Sequence, residues 1–352
     1  MSNPLLGTVL HAIGGVSASS CYLPFQKVKH WSWNSYWLIQ ALFAWLIFPL
    51  IVGYLTVPNL WEVLTNSPIT AMYNAFILGA IYGFGGMAFG YAIKYIGFSL
   101  TYTISIGLSA IIGTVVPLII HGTLITQFSK PGGLIVLLGM ILSLIGVFIC
   151  GWSGYKKEQN LKESKQLEAS AFNLKKGVLL TVFSGVLSAV FGVSLELGAP
   201  IAELAGKYGA GHFQGNANLL VSTAGTFLTN VIWFTIVSFK QDTIKELVAV
   251  KALGAGLWFR NVLLSVLTGG LWYFQFFFYG LGHVRMGAFQ FASWAIHMSM
   301  LIFFSFIVGV IMKEWRAVSK QTYVTLIAGL LILVCSFVII TYGSMQGNGA
   351  VT

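Results

Sequence analysis

The chain has 352 residues, of which 57% are apolar and only 8% charged, against roughly 25% charged in ordinary soluble domains. Its 19 Lys and Arg outnumber 9 Asp and Glu, giving a formal charge of +10. In a soluble protein that excess would point to nucleic acid. Here the positive-inside rule accounts for it, so no nucleic-acid partner is expected and a two-domain soluble enzyme is excluded.

Ten apolar stretches are each long enough to cross a bilayer as a helix, and in lipid they must be helices because the backbone has to close its own hydrogen bonds. In chain order they are Leu5–Tyr22, Tyr36–Val57, Tyr73–Ile93, Phe98–His121, Gly132–Trp152, Gly177–Glu196, Asn218–Ser238, Leu257–Leu281, Gly287–Met312 and Tyr323–Tyr342. Span 1 lacks a basic leader and a small-residue cleavage site, so it reads as a retained helix. The gaps after spans 1, 3, 5, 7 and 9, with their margins, carry 16 of the 19 basic residues; only Lys130, Lys207 and Arg285 fall on the other side. The basic side is expected to be cytoplasmic, with both termini outside.

One long polar stretch, Ser153 to Lys176, interrupts the spans. It predicts a first five-helix repeat over 1–155, a cytoplasmic connector over 156–175 and a second five-helix repeat over 176–352. An odd number of spans per half makes the second half enter the membrane inverted, as in many transporters. Gly7, Leu10, Gly15 and Val16 return as Gly177, Leu180, Gly185 and Val186, while Gly97 and Gly139 return as Gly287 and Gly329. The 40 glycines include helical pairs such as Gly86 and Gly90, which suit close helix packing in lipid. Cys21, Cys150 and Cys335 are too scattered for a disulfide framework or a metal site.

Polar residues inside apolar spans are functional candidates. Thr268, Trp272, Gln275, Tyr279 and His283 in span 8 fall within about 80° on a helix. Gln290, Ser293 and His297 in span 9 share a face about 60° wide. Span 1 adds His11 and span 7 adds Asn230. At 1.5 Å per residue, His11 lies roughly 10 Å and His297 roughly 15 Å below the outer surface, with Trp272 near the middle. Aromatic rings beside Gln, Asn and His suit a neutral polyhydroxylated ligand, so His11, Asn230, Trp272, Gln275, Gln290 and His297 are the expected substrate-binding residues. Glu196 is the one acid expected inside the membrane, and a carboxylate partly shielded from water can exchange a proton in the working pH range. It is the leading proton carrier, followed by His11 or His297. No HExxH, GxSxG, phosphate loop or useful carboxylate pair is present, so neither catalysis nor a cofactor or metal is expected.

The segment Asn261 to Arg285, with Pro24–Trp33, Phe172–Gly177, Trp294–Ser299 and Lys313-Glu-Trp315, resembles the L-rhamnose–proton symporter family of the drug/metabolite transporter superfamily. The resemblance spans essentially the whole chain. It implies an all-α integral membrane fold of ten helices in a 5+5 inverted-topology repeat. It also implies multi-pass residence in a bacterial inner membrane, and inward L-rhamnose transport driven by protons. A monomer is expected. Matching positions are His11, Lys27, Lys29, Trp272, Tyr273, Gln275, His283, Arg285 and His297. Enterobacterial members have a Tyr-Asp pair where this chain has Phe289-Gln290-Phe291, and lack an acid at the position of Glu196. The coupling site is therefore expected at Glu196 or a histidine, unless another ion is coupled. The sugar is L-rhamnose or a close 6-deoxy or L-sugar. The alternatives are a metabolite or drug exporter of the same superfamily, or a membrane sugar sensor that does not translocate.

Overall fold

Lipid forces a backbone to satisfy itself, and the computed structural model is accordingly helical, with no strand among the described residues, 2–96, 98–163 and 173–349. Ten helical segments among them are long and apolar enough to cross a membrane. They are α1 Pro4–Lys27, α2 Trp33–Thr56, α3 Ile69–Ile93, α4 Leu100–Ile120, α5 Gly133–Leu161, α6 Lys175–Leu197, α7 Gly215–Lys240, α8 Ala255–His283, α9 Ala292–Ile311 and α10 Lys320–Gly347.

Two boundaries differ from the apolar runs. The helix containing α5 continues past Trp152 to Glu163, because the Lys- and Glu-rich stretch after the membrane run keeps good helix formers. The rest of the expected connector includes residues 164–172, which lie outside the described residues, as does Gly97. At the other boundary, α9 begins at Ala292, after a short 3-10 turn over Gly287–Phe289.

In α1 the outer face is apolar and the inner face small or polar. Leu5, Val9, Ile13 and Val16 are exposed, whereas Gly7, His11, Gly14 and Gly15 are buried. This is a helix sorted by lipid, with its polar side chain turned to protein.

Two compact units emerge. The first comprises Met1–Ser19, Gly85–Val193 and Leu281–Thr352; the second comprises Ser20–Phe84 and Ser194–Gly280. In the first, α5 and α10 pack along a seam of glycines spaced by seven, Gly132, Gly139 and Gly146. A Cβ at Gly139 would come within 2.9 Å of the Ile340 nitrogen, and one at Gly146 within 2.8 Å of the Leu333 side chain. Gly132, with φ +80°, makes the left-handed turn into α5 and abuts the Gly343 carbonyl. Val136, Cys150, Phe289, Ile296, Phe306, Leu333 and Ile340 fill the core beside this seam.

The second unit has its own core of Val57, Leu60, Val63, Ile201 and Leu220. Within it, α2 is not uniform: an α-helix over Trp33–Leu42 widens into a π turn at Phe43–Ile47 and resumes at Phe48–Thr56. Pro49 explains the widening. Its ring excludes the carbonyl four residues back and it has no N–H to give. The Phe48 N–H bonds the Phe43 carbonyl instead, one residue further than in an α-helix.

Candidate functional site

The structure divides the expected site residues between the two units. His11, Gln290, Ser293 and His297 belong to the first, with His283; Glu196, Asn230, Trp272, Gln275 and Tyr279 belong to the second.

In the first unit, His11 and His297 come together. Both are fully buried, with ring centroids 5.8 Å apart in an edge-to-face arrangement. The His297 imidazole lies against the His11 backbone, and His283 lies against the backbone of Gln290. A glycine makes room for His11: a Cβ at Gly282 would meet its Cε1 and Nε2 at 2.9 Å. One turn before His297, Ser293 is buried with its hydroxyl unpartnered. Between them, Trp294 donates its indole N–H to the Ser109 carbonyl at 3.0 Å. Its ring lies against Gly113 and Gly192, where any Cβ would collide with it.

Gln290 does not share that face. The expectation placed it on the ninth span with Ser293 and His297, but it lies in the turn before α9 and is exposed. Gly287, at φ +61°, lets the chain turn before α9 starts.

In the second unit, the face of α8 read from the sequence is real. Thr268 is fully buried, and Trp272 and Gln275 are 4% and 5% exposed. Leu263, Leu267 and Phe274 on the same helix are exposed. The Trp272 ring meets Trp45 edge-on at 5.3 Å, Tyr82 at 6.5 Å and Phe276 at 5.0 Å. Thr268 accepts a hydrogen bond from the Tyr36 hydroxyl. Glu196 is half-buried near the end of α6, close enough to Tyr279 to act on it electrostatically. The acid and the polar face of α8 belong to the same unit.

Asn230 is fully buried and committed to protein. Its Oδ1 accepts from Trp37 Nε1 at 3.1 Å, and Nδ2 donates to the carbonyls of Thr226 and Gly83 at 3.0 and 3.3 Å. That bonding ties α2, α3 and α7 together.

Sequence reasoning passed over Gln40. It is fully buried on α2, and neither Oε1 nor Nε2 has a partner. Leaving such a group unmade costs about 1–3 kcal/mol. Trp45, on the π turn, is 1% exposed with its indole N–H also unpartnered. Two signals were available: an amide in an apolar run, three residues after Trp37, and the downstream Pro49. π turns of this kind recur at functional sites.

Among the described residues, no group of three or more His, Cys, Asp or Glu is placed to hold a metal. The first unit offers a buried histidine pair suited to proton exchange, and the second a half-buried acid with amides among aromatic rings, suited to proton exchange and hydroxyl recognition.

A family model for the L-rhamnose-proton symport protein (RhaT) matches residues 1–346. The chain is 34% identical over 344 residues to an L-rhamnose-proton symporter of Yersinia pestis, covering 96% of this chain and 98% of that one. A Yersinia pseudotuberculosis relative of the same name matches equally. An Escherichia coli L-rhamnose-proton symporter is 33% identical over 346 residues, covering 97% and 99% of the two chains. The chain belongs to the L-rhamnose–proton symporter family, whose members are transporters rather than enzymes.

Proposed function

We propose that the protein imports L-rhamnose, or a close 6-deoxy or L-sugar, together with protons across a bacterial inner membrane. The observation that carries this reading is the match, over 96% of the chain, to proteins named L-rhamnose-proton symporter. The geometry supports it: buried amides and rings recognise a polyhydroxylated ligand, and ionisable groups lie within apolar helices.

In the second unit Trp272 and Gln275 are the sugar contacts; in the first, His11 and His297 are offered for the same role. Asn230 acts through Trp37, and Gln290 serves as a peripheral contact at most. Glu196 is the leading proton carrier, with His11 and His297 next.

Alternating access is built on an inverted repeat. Its support is that the two compact units draw equivalent spans from each half of the chain. The first holds most of α1, α4 and α5 with their counterparts α6, α9 and α10; the second holds most of α2 and α3 with α7 and α8. The repeats are 1–155 and 176–352, joined by 156–175. The concentration of basic residues in alternate gaps supports placing both termini outside.

Uptake of labelled L-rhamnose into proteoliposomes tests the reading. Accumulation driven by an inward proton gradient, and lost when the gradient is collapsed, is expected. Absence of uptake overturns the substrate assignment. Gradient-independent accumulation overturns the coupling.

A further inference from the structure

Gln40 lies on α2 in the second unit. One turn before it, Tyr36 bonds Thr268 and Trp37 bonds Asn230. One turn after it, the Ala44 backbone abuts Gly269 and the Trp45 ring meets Trp272. The Gln40 carbonyl itself sits against Gly269, where a Cβ would approach to 2.9 Å. The side chain is therefore held on α2 at a level between Thr268 and Trp272 of α8. It is 0% exposed and unpartnered at both polar atoms. Cores rarely leave an amide with two donors and an acceptor unused. Thr223, Thr226 and Asn230 of the same unit have their partners.

We propose that Gln40, assisted by the Trp45 indole N–H, is a specificity-determining sugar contact, reading ring hydroxyls of a monosaccharide bound in the Trp37–Trp45–Trp272 aromatic cluster. An amide gives and accepts at once, so it pairs with two adjacent hydroxyls. The indole N–H supplies a further donor. The proposal rests on the sugar-transport reading above.

The test is equilibrium binding of L-rhamnose and its monodeoxy analogues to the full chain in lipid nanodiscs, with thermal unfolding of the ligand-free protein alongside. Gln40→Met keeps the volume and removes the amide; Trp45→Phe keeps a ring and removes the N–H. Gln40→Met is expected to weaken L-rhamnose binding about 10- to 100-fold and to erase discrimination against one deoxy analogue. Its ligand-free stability should be unchanged or raised, because a desolvated, unbonded amide has been removed. Affinity within twofold of the unaltered protein overturns the proposal. So does loss of folded protein in both variants, which would make the two side chains packing elements. Absence of L-rhamnose binding by the unaltered protein overturns the substrate reading and this proposal with it; normal binding there with an unaffected variant overturns this proposal alone.

Discussion

Trp37 donates its indole N–H to Asn230 at 3.1 Å, and Asn230 passes its own two donors to the backbone carbonyls of Thr226 and Gly83. This chain of bonds means that Asn230 matters by holding α2 in place. Asn230→Ala should destabilise the protein by about 1–3 kcal/mol, since it strands a buried indole N–H. Thermal unfolding in detergent checks this, and a full loss of sugar affinity without a drop in stability would contradict it.

Glu196→Gln should abolish proton-driven accumulation of L-rhamnose while downhill exchange survives. Counterflow and gradient-driven uptake, measured on the same proteoliposomes, separate the two. Unchanged accumulation would remove Glu196 from coupling and leave the histidines.

The glycine beside the histidine pair gives a steric prediction. Gly282→Ala puts a methyl group 2.9 Å from the His11 imidazole, so uptake should fall about tenfold or more, as it does when a positioned group is misplaced by an ångström. His11→Ala relieves only the part of the collision that falls on the imidazole, because the Gly7 carbonyl also lies 2.9 Å from the new methyl, so the double variant should lose less than the two single losses combined. A purely additive result would show that the two residues do not interact.

Much of the fold was written in the sequence because lipid reads it by simple rules. Apolar length located the ten long helices of the described residues, and rotation by 100° per residue found the face of Thr268, Trp272 and Gln275, which is buried while Leu263 and Leu267 of the same helix are exposed. Gln290 escaped the same arithmetic because the helix starts after it, at Ala292. Asn230 looked like a free ligand-binding amide, since its partners Trp37 and Gly83 are distant in the chain. Gln40 was missed although it too is an amide in an apolar run; its place there is legible in the sequence, but its lack of a tertiary partner is not.

Two ion pairs invite a comparison. Lys157 is 6% exposed where it meets Glu314 at 3.0 Å, and it also lies over the Trp315 ring. Glu314→Gln removes the negative charge facing that buried ammonium and should cost about 1–2 kcal/mol, discounted for solvent screening because Glu314 is 36% exposed. Asp242→Asn, which breaks the exposed pair with Lys245, should change stability by less than about 1 kcal/mol. Unfolding midpoints of both variants decide the matter.

Trp294 lies with its indole against Gly113 and Gly192, and no side chain intervenes at either. The three positions are therefore one letter of the sequence spelled in three places. A mutation at either glycine fails unless the tryptophan shrinks, and a smaller residue at 294 leaves a hole that only a bulkier partner at 113 or 192 can fill. Across relatives, these positions should change together or not at all, and a lineage that replaces the tryptophan must pass through a less stable ancestor.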